Sequence, residues 1–326
     1  MNCEFVFTCQ TDSEQLCLNE MQKITGVKLI KWLDGGVGLA ECDMDFTEFS
    51  KTIRAGKPVF LRHIFPAGFV CGYAGDVIEQ YKNKIDKNTS MSVQVRAKTG
   101  EKPEFDIANY FKENGYLYNK AAPEVIISVF ISGGKIYSGL SKSIENLSSW
   151  PGGMRHYAFD GSVISRAEFK LLELFEYFPD ILNNQNENTA LDLGASPGGW
   201  TKILAQKGYR VTAVDPNKLS DMLRGNKNVE YHKCLAEDFI KSLDKKYDLI
   251  VNDMRMHAVE SAKLMVEAHK NLKENGYAVV TLKLSKRDKS ATIKNGLDIL
   301  RKKYEVLFVK QLFHNRSEIT VVLRKF

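Results

Sequence analysis

The sequence predicts an α/β chain in which a doubly wound sheet, closed by an antiparallel strand pair, fills the C-terminal half behind two smaller α+β units. Three observations lead there. From Ala190 onward apolar strands alternate regularly with amphipathic helices; the last two strands follow one another with no helix between them; and the first 148 residues carry shorter elements in a different order.

Residues 1–65 read as strand CEFVFTC, helix LCLNEMQKI, strand KLIKWL, a turn at Gly35–Gly36, strand VGLAEC, helix FTEFSKTI and strand VFLRHIF. This strand-helix-strand-strand-helix-strand order is the ferredoxin-like arrangement, and a first domain is expected over 1–68. Over 69–148 the pattern changes to helix DVIEQYKNKI, strand MSVQVRA, helix FDIANYFKENG, and strand EVIISVFIS turned by Gly133–Gly134 into KIYSGLS. Here Arg96, Lys98 and Lys102 accompany Tyr110, Phe111, Tyr116 and Tyr118, a mixture that either stacks on bases and pairs with phosphates or packs as core.

Residues 147–165, rich in Gly, Ser and aromatics without periodicity, form the connection, and the third domain is expected over 149–326. It opens with helix RAEFKLLELFEYF. Strands ALDLG, VTAVD, DLIVND and YAVVTLKL then alternate with helices through WTKILAQKG, AEDFIKSL, SAKLMVEAHKNL and TIKNGLDILRKKY, the last with an apolar stripe of Ile293, Leu297, Leu300 and Tyr304. VLFVKQL and EITVVLRKF close the chain.

A length of 326 residues suits two or three domains, each with its own core. The six cysteines, at 3, 9, 17, 42, 71 and 234, form no CxxC pair and the six histidines are isolated, so neither a disulfide framework nor a zinc site is expected. The first ten residues lack a basic segment followed by a long apolar one, and no run approaches the ~18 apolar residues of a membrane span. A cytoplasmic protein with neither membrane nor metal partner is the expectation. The net charge is +6, yet the first fifty residues hold three basic against nine acidic side chains, so the positive excess lies in the remainder and suits a polyanionic partner there.

The stretch LDLGASPGGW, 191–200, places Gly194, Gly198 and Gly199 where the first strand of the large sheet turns into a helix, as ligand-binding loops do. Asp192 inside the strand and Pro197 in the loop separate it from a dinucleotide fingerprint, which wants free backbone N–H groups for a pyrophosphate. A cofactor with cationic groups suits the carboxylate, and S-adenosyl-L-methionine carries both a sulfonium and an amino group. Residues 192 and 194–200, including Ala195, Ser196 and Trp200, are therefore candidate cofactor contacts. Asp215, about twenty residues on, stands where an acid accepts hydrogen bonds from ribose hydroxyls. Asp238 either holds an adenine amino group or favours a helix N-terminus.

The segments SRAEFKLLE, LDLGASPGGWT, VNDM, TLKLSKR and HNRSEITVVLRK, in this order, resemble the FtsJ-type RNA 2'-O-methyltransferases. The front layout and the VFISGGKIYSGLS strand pair further resemble the THUMP-containing bacterial 23S rRNA cytidine 2'-O-methyltransferases of that group. The resemblance implies a Rossmann-like S-adenosylmethionine-dependent methyltransferase domain preceded by ferredoxin-like and THUMP-like domains, the latter an RNA-binding unit. It implies large-subunit rRNA, or a ribosome-assembly intermediate, as partner. It also implies a Lys-Asp-Lys-Glu tetrad, which falls on Lys170, Asp253, Lys283 and Glu318, with Asp253 also near the cofactor. Residues 216–230 match the pattern poorly.

The chemistry gives its own reason for such a set. A ribose 2'-hydroxyl is a weak nucleophile, so in-line attack on a methyl group needs alignment and a group that takes or guides the proton. A lysine accepts a proton only when neutral, and neighbouring charges set how often it is. Lys283 is the expected base or proton guide, Asp253 and Glu318 orient the lysines, and Lys170 holds the ribose or a phosphate. Arg166, Lys286, Arg287 and Lys289 are expected RNA contacts at the entrance. His257, four residues beyond Asp253, reads as a loop or helix-start histidine. Two other readings remain: a small-molecule methyltransferase, which would not need two lysines framing an acid, and a catalytically silent RNA-binding assembly factor, which would not need the intact tetrad.

Overall fold

The computed structural model describes residues 2–101, 106–179, 188–242, 244–285 and 287–326, so Lys102 and Lys286 lie outside the described residues. The chain forms two compact units, Met1–Arg155 and His156–Phe326.

In the first unit, β1 (Cys3–Thr8), α1 (Glu14–Thr25), β2 (Lys28–Asp34), β3 (Val37–Cys42), α2 (Phe46–Ala55) and β4 (His63–Pro66) build a sheet of order β2-β3-β1-β4. From Phe5 to Thr8 successive residues of β1 are buried on both faces, in keeping with the apolar run Phe5-Val6-Phe7. Phe5 packs against Phe49 of α2 with tilted rings 4.1 Å apart, while Val6 joins Leu33, Leu39 and Phe65 against Phe130 and Tyr137 of the second sheet. That sheet, of order β5-β8-β7-β6, holds β5 (Phe69–Cys71), α3 (Ala74–Tyr81), β6 (Met91–Ala97), α4 (Ile107–Glu113), β7 (Val125–Ser132) and β8 (Lys135–Lys142). β4 is shorter than predicted, because the N–H groups of Val59 and Phe60 donate to the Glu20 carboxylate at 3.0 and 2.9 Å instead of joining a ladder. Of the aromatics weighed as base-stackers, Phe111 is fully buried, and Tyr110, Tyr116 and Tyr118 pack against the same core.

The second unit is the predicted doubly wound α/β sheet. α5 (Ala167–Tyr177) leads into β9 (Thr189–Leu193), α6 (Gly199–Gln206), β10 (Arg210–Val214), β11 (Val229–His232), α7 (Ala236–Ser242), β12 (Tyr247–Asn252), α8 (Ala258–Ala268), β13 (Leu272–Lys283), α9 (Lys289–Leu300), β14 (Tyr304–Lys310) and β15 (Glu318–Lys325). The order is β11-β10-β9-β12-β13-β15-β14, parallel through β13 and antiparallel at β13–β15 and β14–β15. Leu171, Leu174 and Phe175 of α5 and Trp200, Ile203 and Leu204 of α6 cover one face over Ala190, Val211, Leu249, Val251, Val279 and Val322.

The apolar stripe assigned to the last helix needs a correction at its end. α9 stops at Leu300, the cations Arg301, Lys302 and Lys303 make a turn, and Tyr304 opens β14. Tyr304 is buried all the same, donating its hydroxyl to the Met265 carbonyl at 2.7 Å. Among the described residues, no helix is long and apolar enough to cross a membrane, and no group of three His, Cys, Asp or Glu is placed to hold a metal ion.

Candidate active site

The topology gathers the candidate residues at one edge. Parallel strands end together, so the loop after β9, Asp215 after β10, Asp253 after β12 and Lys283 at the end of β13 share the C-terminal side of the sheet, where doubly wound folds place their ligands. β15 runs the other way, and its first residue, Glu318, pairs in register with Lys283, the last of β13. α5 contributes Lys170 from above the sheet.

These four side chains close a ring of alternating charge. Lys170 Nζ lies 2.9 and 3.0 Å from the two Asp253 oxygens and 2.8 Å from Glu318 Oε1. Lys283 Nζ lies 3.1 Å from Asp253 Oδ1 and 3.5 Å from Glu318 Oε2. Burial disfavours the charge of Lys170, but Asp253 and Glu318 outweigh it and hold its pKa above the ordinary lysine value. Burial likewise opposes ionisation of Asp253 and Glu318, and Lys170 with Lys283 overcomes it, keeping both carboxyls below their usual range. The two lysines differ in access: the Lys283 side chain is 24% exposed and that of Lys170 11%, so Lys283 is the more open to an incoming group.

The ring forms the floor of a cleft of about 820 Å³ whose lining also includes Arg166, Arg255, His257, His314 and Arg316. Several residues that hold it had no signal in the sequence reading. The Thr281 hydroxyl, two residues before Lys283 on the same face of β13, donates to Asp253 Oδ1 at 2.7 Å and accepts from Lys283 Nζ at 3.1 Å. Asn252, fully buried, accepts the Met254 N–H at 2.9 Å and donates to the buried Ser261, which fixes the turn that presents Asp253. Glu173, one helical turn beyond Lys170, accepts the N–H groups of Phe313 and His314 at 2.9 and 3.1 Å and ties the loop before Glu318 to α5. His257 occupies the N-cap position of α8 without a side-chain cap bond, bridges to Lys283 through its backbone and is among the residues lining the cleft.

The glycine loop owes its composition to its own packing. Gly194 and Gly198 have φ of +72° and +109°, and a Cβ on them would stand 1.9 Å from Met254 Cγ and 2.4 Å from Leu223 Cδ1. A Cβ on Gly199 would meet Ser165 Oγ at 2.4 Å. Ala195 is buried, its N–H donating to the Val214 carbonyl at 3.1 Å; the Ser196–Pro197 bond is cis, and Pro197 accepts from the Ser220 N–H. Trp200 is buried and donates its indole N–H to the Ala167 carbonyl at 2.8 Å, joining α6 to α5.

What fits a cationic ligand here is the acid content. Asp192 is 2% exposed and accepts from Thr201 at 2.6 Å; burial, and after it the charges of Asp253 and Asp215, push its pKa up to about 7. A cation beside these carboxylates would relieve that cost. Asp215 accepts the Ser196 and Asn217 N–H groups, one on each oxygen, and keeps lone pairs for a further donor. Asp238 stands exposed in the first turn of α7, the position a helix macrodipole favours.

Comparison with known proteins gives the same direction. The model of the FtsJ-like methyltransferase family matches residues 163–322. Residues 163–322 form an FtsJ-like methyltransferase domain. Among relatives of the chain, the ribosomal RNA large subunit methyltransferase M of Pseudomonas entomophila is 28% identical over 332 residues, covering 99% of this chain and 86% of its own. Its counterpart in Pseudomonas fluorescens is 30% identical over 65% of this chain and 61% of its own. An uncharacterized protein of Methanocaldococcus jannaschii is 35% identical over 168 residues, half of this chain, and the chain spans 47% of that relative's length.

Within the FtsJ-like domain, the cations expected at the entrance divide. Arg166 lines the cleft, whereas Arg287 is exposed and Lys289 half-buried at the start of α9, outside the cleft lining. Arg255 and Arg316, both exposed at the cleft, are the cations that sequence reasoning missed.

Proposed function

We propose that this protein transfers a methyl group from S-adenosylmethionine to a ribose 2'-hydroxyl of RNA, with a cytidine of large-subunit ribosomal RNA as its target. The observation that carries this reading is the closed Lys170–Asp253–Lys283–Glu318 ring on the floor of a cleft rimmed by Arg166, Arg255 and Arg316. Such a set suits a substrate that is both a hydroxyl and a polyanion. The names of the Pseudomonas relatives support the choice of RNA.

When bound, the cofactor supplies a methyl group on a sulfonium centre, an electrophile that needs no further activation. Asp192 and Asp215, with the backbone of residues 194–200, would hold it beside Asp253. The chain must then align the 2'-oxygen and receive its proton. Lys283, the more open of the two lysines, takes or guides that proton, while Asp253, Glu318 and Thr281 fix its amine in place. Lys170, held charged by two carboxylates, contributes a fixed positive charge that favours oxyanion character on the attacking oxygen. The cleft arginines, with Arg287 and Lys289 further out, pair with phosphates. The front unit, read as a ferredoxin-like domain over 1–68 and a THUMP-like domain over 69–148, acts as the RNA-holding module.

The test is methyl transfer from labelled S-adenosylmethionine to total RNA of cells lacking this protein, followed by nuclease digestion. Label in 2'-O-methylcytidine of large-subunit rRNA is the expected outcome. Label in another 2'-O-methylated nucleoside overturns the target alone, and no transfer to RNA despite cofactor binding overturns the reading.

A further inference from the structure

We propose that Phe159 and Arg166 form a stacking shelf at the mouth of the tetrad cleft, which receives an unpaired RNA base next to the ribose being methylated. The proposal rests on the methyl-transfer reading above and goes beyond it by assigning a base subsite and requiring the target to be locally single-stranded.

The shelf is the outer end of a train of rings. Phe169, buried and adjacent to Lys170 on α5, is flanked by Tyr157 in a stacked pair at 5.4 Å and by His314 at 5.2 Å. Phe159 meets Phe169 edge to face at 6.1 Å and is itself 62% exposed. The Arg166 guanidinium lies 5.7 Å from the centre of the Phe159 ring. An exposed phenylalanine alone carries no message, since single surface apolar residues are ordinary. Phe159 differs in three respects: its orientation is set by a buried ring, its companion is a planar cation, and the train shares Arg166 and His314 with the lining of the cleft.

Those features select the occupant. A flat ring and a guanidinium offer two stacking surfaces, and every base has a π face to lay on them. Arg166, Arg255 and Arg316 around the cleft draw a phosphate backbone across it. In an A-form duplex the bases stay stacked on one another and cannot reach a side chain in this way, so a base on the shelf must belong to an unpaired stretch.

The experiment uses the full chain and two probes, a fluorescently labelled unstructured oligoribonucleotide of about 12 nucleotides and the same strand in a duplex, with binding read by anisotropy. Phe159→Ala and Phe159→Leu are each expected to weaken single-strand binding roughly 5- to 100-fold and to leave duplex binding within about 2-fold, while Phe159→Trp keeps single-strand affinity. On rRNA substrate the same two variants should raise KM by far more than they lower kcat. Undiminished single-strand affinity in Phe159→Ala, an equal loss for duplex, or full affinity in Phe159→Leu each overturns the shelf. The two readings fail separately. An unaltered protein that methylates no RNA but loses single-strand binding with Phe159→Ala retires methyl transfer and leaves a base-binding shelf; normal methylation with undiminished single-strand binding in the variant retires the shelf alone.

Discussion

Lys283 and Glu318 stand directly opposite one another in the antiparallel pair β13–β15, the last residue of one strand against the first of the other, with 3.5 Å between Nζ and Oε2. The same carboxylate reaches Lys170 at 2.8 Å, so Glu318 links both lysines. Its side chain is only 10% exposed, so its removal leaves the buried Lys170 ammonium with one partner fewer. Glu318→Gln, which keeps the shape, is expected to lower kcat by about 10- to 100-fold and to destabilise the protein by about 1–3 kcal/mol. Single-turnover methyl transfer and denaturant unfolding on the same variant check both numbers; an unchanged rate with lowered stability would make Glu318 purely structural.

Lys283 carries the larger stake. A positioned proton acceptor contributes about 10²–10⁴ in rate, so Lys283→Ala should lose at least ~100-fold in kcat while binding cofactor and RNA normally. Lys283→Arg should not recover the loss, because a guanidinium cannot release its proton. Calorimetric titration of S-adenosylmethionine into both variants separates a failed step from a failed site.

Much of this arrangement was legible in the sequence, for physical reasons that differ by residue. The sheet was readable, apart from its edge strand β11, because its buried parallel strands are continuous apolar runs, and the end of each such run marks the edge where Asp215, Asp253 and Lys283 sit; β11 (VEYH) buries none of its residues fully and has no such run to announce it. Thr281, Asn252 and Glu173 were not readable, since a threonine in a strand or a glutamate in a helix has no distinguishing neighbour in sequence; their roles exist only once β13, β12 and α5 are brought together. Cys3 and Cys42 make the same point, for nothing in their spacing announces that β1 and β3 set their sulfurs 3.4 Å apart. Arg255 and Arg316 lie far apart in sequence and outside the dense charge run at 286–289, and only the fold brings them to one cleft.

Asp192 gives a pH dependence with the opposite sign to that of Asp253 and Glu318. Its folded pKa, about 7, lies above the ordinary carboxylate value of 3.8, so between those values the folded protein keeps a proton that the unfolded chain has lost. Its contribution to stability therefore falls as pH rises from about 4 to about 7. Asp253 and Glu318, both depressed, contribute stability above their unfolded values that is lost only as pH drops through lower folded ones. Asp192→Asn should remove the loss between pH 4 and 7, visible as a higher unfolding midpoint at pH 7 than at pH 4 relative to the unaltered protein. A cationic cofactor should reverse the trend by ionising Asp192, so S-adenosylmethionine binding near pH 6 should release a proton. Calorimetry in buffers of different ionisation enthalpy detects that release, and identical proton release by Asp192→Asn would assign it elsewhere.

Thr281 tests whether the lysine must be held as well as present. Its hydroxyl is fully buried, donates to Asp253 and accepts from Lys283, and so fixes the distance between the base and its acid. Thr281→Val keeps the volume and deletes both bonds, at a cost of about 1–2 kcal/mol in stability. Because misplacement of a reacting group is costly even when the group remains, kcat should fall about 10-fold with KM little changed. Thr281→Ser, which restores the hydroxyl without the methyl, should recover the rate more than the stability. If Thr281→Ser instead recovered stability and left the rate low, the methyl group and not the hydrogen bonds would be what Lys283 needs.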